Sequence, residues 1–299
     1  MTVIPRMSFL GSTRAAQVRL AASSHRMERA NEKVSTGKAY VRPSDNPTAA
    51  SRGAVLRDEL GQLDVYDTNI SDARARLSIA DTKTQQAMDL YHRVTELTTQ
   101  ASSSTSSPSA RLAVREEVLQ IRKELENVAN SQYLGAPLFA GFGPGPAVTS
   151  TPAGWTFGGS ATDQVIRTVG AGETVTASIT AQELFDSPAG NAFQVLDDLS
   201  TALAADNTAG IQSVLDRVKS LQSVLSAGQA RIGAAVNRVE AAAGRNSAIR
   251  ITLSTEMSEV EDVDLNDAIT EQARLTIAYQ AALGVTAKAN QQTLLDYWR

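Results

Sequence analysis

The chain has 299 residues, 42% of them hydrophobic and only 5% aromatic, so it can bury a core, but one built mainly from small and aliphatic side chains. It has no cysteine and two histidines, which excludes disulfides, thiolate nucleophiles and cysteine-based metal sites and leaves little for histidine-dependent catalysis. A formal charge of −4, mixed in sign along the chain, argues against electrostatic binding of nucleic acid.

The opening residues, MTVIPRMSFLGSTR, lack the apolar stretch of a cleavable signal peptide. No apolar run approaches the length of a membrane span, so neither ordinary secretion nor membrane insertion is expected. Thr13, Ala16, Leu20, Ser23, Met27, Ala30 and Val34 follow three- and four-residue spacing and predict a first helix with a small, polar seam. The next segment carries the strongest pattern. Leu56, Leu63, Ile70, Leu77, Thr84, Tyr91 and Thr98 recur every seven residues, with Tyr66, Ala73, Ala80, Ala87, Val94 and Ala101 three places after most of them. That is a coiled-coil-like seam whose alanines permit a close neighbour and whose threonines call for more than one. A helix from Pro47 to Ala101 would run about 80 Å at ~1.5 Å per residue, longer than the ~50 Å diameter of a compact chain of this size, so an elongated molecule is expected.

SSSTSSP (Ser102 to Pro108) breaks the helix, and Ser107 followed by Pro108 starts another, marked by Val114, Val118, Ile121, Leu125 and Val128. Residues 134–190 hold ten of the 19 glycines and five of the nine prolines, a composition of turns and short strands. QVIRTV and TVTASIT around GAGE predict a β-hairpin, and GWTF a further strand. Leu225, Ile232, Val239, Asn246 and Leu253 mark another long helix. Asp264 is placed to cap a last helix with Asp267 in its first turn and Ile269, Ala273, Thr276, Leu283, Ala287 and Leu294 along it. The expected fold is mainly α with a small β-rich insert at the tip of a helical rod built from the N- and C-terminal segments. The expected divisions are a terminal helix with its following turn at 1–42, rod halves at 43–133 and 191–264, the β-rich domain at 134–190, and a second terminal helix at 265–299.

The chemistry-bearing residues are sparse. His25 and His92 are 67 residues apart and read as solvated or interface histidines before they read as metal ligands. Glu256, Glu259, Glu261, Asp262, Asp264 and Asp267 cluster but lack the glycine and spacing of a calcium loop; helix capping and a solvated face explain them better. GFGPGP has no following GK[ST], so no phosphate loop is expected. The serines from Ser102 to Ser107 read as an interhelix turn rather than a catalytic loop. Arg42, Ser44 and Asp45 read equally as a local turn and as a spoke between inner helices and rod.

VSTGKAYVRPSDNPTAAS (Val34 to Ser51), YLGAPLFAG (Tyr133 to Gly141), VEDVDLNDAITE (Val260 to Glu271) and LLDYW (Leu294 to Trp298) together resemble the bacterial flagellin family. The STGK turn with the double-proline stretch, Ser35, Thr36, Gly37, Lys38, Arg42, Pro43, Ser44, Asp45 and Pro47, is similar to the family's hook–filament junction branch rather than to its filament subunits. The family ends in LLDY and Leu, where Trp298 and Arg299 stand here; Thr95 replaces the second arginine of the QR-x-R-E-L stretch that an animal immune receptor reads. The resemblance implies a structural, non-enzymatic flagellar protein with no metal or cofactor. It implies export through the flagellar type III apparatus without signal cleavage and a cytoplasmic export chaperone. Outside the cell it implies a ring of copies between a proximal hook-associated junction protein and flagellin. The assembly candidates are then Ser35, Thr36, Gly37, Arg42, Pro43, Ser44, Asp45 and Pro47 at the joint, with Leu20, Met27, Ile269, Leu283, Leu294 and Leu295 on the terminal helices. A filament flagellin is the alternative in the same class. An elongated helical enzyme is a third reading, weakened by the missing SS-x-MP-K-N loop of helical lyases.

Overall fold

A computed structural model describes residues 7–103, 106–143, 145–160 and 162–296, with side chains described between residues 14 and 288. Seven helices are described: α1 (Met7–Thr36), α2 (Pro47–Ser102), α3 (Pro108–Ala129), α4 (Ala181–Phe185), α5 (Ala192–Ala204), α6 (Thr208–Glu261) and α7 (Leu265–Asp296). Eight short strands lie between α3 and α5: β1 (Gln132–Tyr133), β2 (Ala136–Pro137), β3 (Val148–Thr151), β4 (Gly154–Phe157), β5 (Ile166–Gly170), β6 (Glu173–Thr176), β7 (Asp186–Ser187) and β8 (Gly190–Asn191). They pair as separate two-stranded antiparallel hairpins, β1–β2, β3–β4, β5–β6 and β7–β8. The chain divides into two compact units, one of Met1–Gln62 with Ile249–Arg299, the other of Leu63–Ala248.

The second unit holds the apolar core, which runs from Ile70 to Ala242. Every seventh-residue position from Leu56 to Thr98 is buried, and so are the alanines beside them from Ala73 to Ala101. Thr84 and Thr98 are tolerated there because each hydroxyl donates to a carbonyl of its own helix, Ala80 O at 2.8 Å and Val94 O at 2.6 Å. α3 buries Val114, Val118, Ile121, Leu125 and Val128 as its spacing requires, and Ser107 caps it by accepting from Ala110 N–H. At the α2–α3 turn the buried Arg111 donates to Ala101 O and Ser103 O and pairs with Asp206 after α5. One guanidinium thus ties two interhelix turns together.

The β5–β6 hairpin closes with Gly172 at φ +71°, as its GAGE loop requires. It is pinned from both sides. Asn69 on α2 donates to Thr168 O at 2.9 Å, and the buried Asn246 on α6 donates to Val169 O at 2.9 Å. Asp72 on α2 accepts from Arg167 on β5 at 2.8 Å and from the Tyr133 hydroxyl on β1 at 3.1 Å. Burial, then the Asp72 hydrogen bond, raise the Tyr133 pKa, and desolvation lowers that of Arg76, which donates to the carbonyls of Pro137 and Leu138. The scarce aromatics collect in and beside the insert: Phe139, Phe185 and Phe193 are fully buried, and Trp155 stacks on Phe193 at 4.8 Å while donating to Asp197 at 2.8 Å. The low overall aromatic content therefore conceals an aromatic cluster in this part of the chain, beside the separately buried Tyr91 on α2. Sequence spacing did not anticipate α4, α5 or the hairpins β1–β2 and β7–β8.

Candidate functional site

The residues singled out between α1 and α2 form a joint in the first unit. α1 ends at Gly37, whose φ of +69° lets its N–H reach Lys33 O at 2.9 Å, a left-handed helix cap that favours glycine. Thr36 bonds back to Glu32 O at 2.7 Å, and Ser35 stays exposed. The chain then pairs with the end of α6: Ala39 N–H donates to Glu261 O at 2.7 Å and Val263 N–H to Gly37 O at 2.9 Å, around a bridge between Lys38 and Asp262.

A polar cluster covers that bridge. The Glu261 carboxylate, only 8% exposed, accepts from Lys38 Nζ at 3.3 Å, from the Tyr40 hydroxyl at 3.5 Å and from Arg57. Asp262 accepts from Lys38 Nζ at 2.9 Å and from Ser258 Oγ at 2.7 Å. The Lys38 hydrogen bond and that of Ser258 hold the Asp262 carboxyl below the usual carboxylate range, and Asp262 raises the Lys38 pKa in return. Gly53 makes room for the cluster. A Cβ there would lie 2.6 Å from Glu261 Oε1 and 2.9 Å from the Tyr40 hydroxyl. The sequence reading placed Glu261 in a solvated acidic cluster, whereas it is buried and paired, and it passed over Gly53, one of two glycines inside the long helix α2.

The RPSD stretch is a tight turn closed from both sides. Asp45 N–H donates to Arg42 O at 2.9 Å, and the Asp45 carboxylate accepts from Arg42 N–H at 3.1 Å. Pro43 occupies the second position of this turn, where its fixed φ fits. Asp45 spends its carboxylate on the turn, and Asn46 caps α2 instead, accepting from Ala49 N–H at 3.1 Å. Pro47 is the first residue of α2, where no N–H partner is needed. Arg42, Pro43, Ser44, Asp45 and Pro47 are all exposed.

α1 packs on α7 in the same unit. The predicted face of α1 is the one turned inward: Ala16, Leu20, Ser23, Met27 and Val34 are half-buried and Ala30 is buried. The seam proposed for α7 is off by about one residue. Ala268, Gln272, Leu275, Thr276, Tyr279, Ala282 and Thr286 are the shielded positions, so that of the predicted seam positions with described side chains only Thr276 lies inward, and Gln272 donates to Asn31 at 3.0 Å. Ile269 and Leu283 face outward, as does Ile277 at 67% exposure. Spacing alone turned Ile269 and Leu283 inward, whereas the face that meets α1 mixes Ala268 and Ala282 with Gln272, Leu275 and Tyr279. The side chains of Leu294 and Leu295, and all of Trp298, lie outside the described residues.

The acidic cluster is dispersed among separate partners. Glu256 pairs with Arg52 at 3.0 Å, and Asp264 caps α7 by accepting from the N–H groups of Asn266 and Asp267. His25 sits beside Glu28 at 3.3 Å with both exposed, and His92 is exposed. In the stretch around Thr95, the Arg93 side chain pairs with Glu117 at 2.7 Å and Glu96 at 3.1 Å.

Residues 7–143 match the family model for the bacterial flagellin N-terminal helical region, and residues 194–298 match that for the C-terminal helical region. The chain belongs to the bacterial flagellin family. This flagellin-family chain is 28% identical over 276 residues to flagellar hook-associated protein 3 of Escherichia coli K12, covering 84% of this chain and 86% of that protein. It is 25% identical over 287 residues to flagellin of Bacillus subtilis 168, with 92% of each covered. Among solved structures it superposes on FlgL of Xanthomonas campestris with a TM-score of 0.62 at 17% identity, over 68% of this chain and 99% of that one. The flagellar junction protein FlgL of Legionella pneumophila gives 0.60 at 14% identity, over 70% and 99%. The fold is thus shared with these proteins, and the chain is a structural component of the bacterial flagellum.

Proposed function

We propose that the chain is the subunit that joins the hook-associated zone of the flagellum to the flagellin filament. The supporting observation is the match to flagellar hook-associated protein 3, which extends over 84% of this chain and 86% of that relative. In this reading copies of the chain form a ring outside the cell, touching a proximal hook-associated protein on one side and flagellin on the other. The role is mechanical and involves no catalysis. The subunit travels through the flagellar export apparatus with its signal uncleaved, escorted by a cytoplasmic chaperone. α1 and α7 form the inner part of the ring, where the outward Ile269 and Leu283 and the C-terminal Leu294 and Leu295 meet neighbouring subunits. Leu20 and Met27 hold α1 to α7. The joint from Ser35 to Pro47 sets α1 against the start of α2.

The test is a strain lacking this chain, complemented with the wild type and with Pro43→Ala/Pro47→Ala. The deletion strain should bear hooks without filaments, and the wild type should restore them. The double variant should melt like the wild type but shed filaments under shear, because the turn samples more states without its prolines. The match to Bacillus subtilis flagellin supports a second reading as a filament subunit. Long homopolymers formed by the purified chain on isolated hooks would favour that reading over a junction role.

A further inference from the structure

A two-stranded hairpin leaves each strand one edge that its partner cannot pair, and in the second unit side chains cover most of those edges. On β3 the Asn130 side chain accepts from Val148 N–H at 2.9 Å and donates to Val148 O at 3.0 Å. On β5 Asn69 and Asn246 hold Thr168 O and Val169 O, and on β6 Arg238 donates to Thr174 O at 3.1 Å. The edge of β4 has no such cover. Val148 lies opposite Phe157 and Ser150 opposite Trp155. Gly158 N–H donates to Ala147 O at 2.9 Å, so the alternation of an antiparallel ladder turns the main-chain groups of Phe157 and Trp155 away from β3. The Val148 groups, outward on Asn130, fix the same phase from the other strand. Neither the N–H nor the C=O of Trp155 and Phe157 has a hydrogen-bond partner among the described residues.

β4 lines a cleft of about 570 Å³, whose wall is completed by residues 158–160, by Gln182 of α4 and by Asp186 and Asn191 of the β7–β8 hairpin. The Gln182 amide and the Asp186 carboxylate have no partner among the described residues, and Asn191 spends only its Oδ1, on Phe193 N–H. Asp186 is exposed and is the one charged residue in the lining. The Trp155 ring is already engaged, with Phe193 at 4.8 Å and the Arg122 guanidinium at 5.6 Å. The cleft therefore offers a ligand strand backbone and polar side chains rather than a free aromatic face. β4 carries no charge, proline or bulge, the devices that keep an edge from pairing with another chain. We propose that the open edge of β4 receives an added strand. An extended, non-acidic segment of another polypeptide bonds through its main chain to Trp155 and Phe157, and Gln182, Asp186 and Asn191 meet its remaining polar groups. The site lies outside the joint and the terminal helices and does not rest on the assembly role given to them.

Amide exchange on the purified, ¹⁵N-labelled full chain tests this, with the end-blocked peptide KTVTVTK as probe, a sequence that favours the extended state. In the free chain the Trp155 and Phe157 amides should exchange several-fold faster than those of Thr156 and Gly158, at any protein concentration. Millimolar KTVTVTK should slow the first pair several-fold and leave the second pair unchanged. The same peptide N-methylated along its centre keeps its side chains but cannot form the ladder, and it should have no effect. ETVTVTE should act several-fold more weakly because Asp186 repels it. Gln182→Trp puts a large ring into the cleft and should abolish the effect of KTVTVTK with the melting curve unchanged. The proposal is overturned if KTVTVTK slows neither amide, if the N-methylated peptide works equally well, or if ETVTVTE acts as strongly. Protection of Trp155 and Phe157 that rises with protein concentration alone would also overturn it, because a second copy of the chain would then occupy the edge.

Discussion

At Gly53 the absence of a side chain decides the geometry of the joint. Glu261 can lie buried against Lys38, Tyr40 and Arg57 only because nothing occupies the space 2.6 Å from its Oε1. Gly53→Ala would normally favour a helix interior by ~1 kcal/mol. Here the methyl must push the carboxylate or the tyrosine aside, and overpacking typically costs ~1–3 kcal/mol, so a net loss is expected. Slower-exchanging amides of Ala39 and Val263 should lose protection in this variant, while those of the second unit keep theirs. The Lys38–Asp262 pair sets a pH dependence at the same place. The Asp262 pKa is depressed in the fold, so its contribution is present above the ordinary carboxylate pKa and is lost as pH falls through the lower folded value. The Lys38 pKa is raised, so its contribution is present below the ordinary lysine pKa and is lost as pH rises through the higher folded value. Protection of the Ala39 amide, corrected for intrinsic exchange, should therefore be flat near neutrality and fall at both extremes. Asp262→Asn should remove the acid limb.

At the scale of elements, the seven-residue repeat made α2 legible in detail. Every position assigned to its first seam column is buried, because a long helix against close neighbours leaves few other places for Leu and Ile to go. The insert was legible only as a hairpin-bearing segment. Its β-rich character followed from glycine and proline content, but β1–β2 could not, since Leu134 takes φ +51° at a turn where sequence rules expect Asn or Asp. α7 was misphased for a physical reason: its two faces differ little in hydrophobicity, with Leu275 and Tyr279 inward and Ile269, Ile277 and Leu283 outward. At the candidate site the STGK and RPSD turns were readable from their own residues. The Glu261 cluster was not, because its members lie more than 200 residues apart. Two substitutions test the element-scale account. Thr84→Val removes a buried hydroxyl that serves only its own helix and should raise the second unit's stability by ~0.5 kcal/mol or leave it unchanged in chemical denaturation. Asn246→Ala takes away the donor to Val169 O and leaves that carbonyl unpaired, which should cost ~1–3 kcal/mol and expose the β5–β6 amides to exchange first.

At the scale of the whole molecule, the two units are built on different balances. The second unit holds nearly all the large buried side chains, from Leu77 and Tyr91 to Phe185, Phe193 and Leu221. Along α1 and α7 the only buried apolar residues among those described are Ala30 and Ala268. Fixing a residue's backbone costs ~1–2 kcal/mol, and apolar burial returns only ~25 cal/mol per Å², so a helix pair whose larger seam residues, Leu20, Met27, Leu275 and Tyr279, are only half-buried gains little that is its own. An assembly subunit can use this imbalance. Ile269, Ile277 and Leu283 remain outward on α7, so the surface that would stabilise the pair is left for neighbours to cover. The purified chain should therefore be cut by a low dose of broad-specificity protease between residues 14 and 36 and between 265 and 288 well before any site from Leu77 to Val239. The surviving fragment should keep the helical signal of α2, α3 and α6 and melt cooperatively. Incorporation into assembled flagella should slow both terminal cuts by at least an order of magnitude and leave the internal rates alone. Terminal helices that resist the protease in the free chain as long as the core does would show that α1 and α7 hold each other without help. Terminal cuts equally fast in the assembled flagellum would show that neighbouring subunits do not cover the outward face of α7.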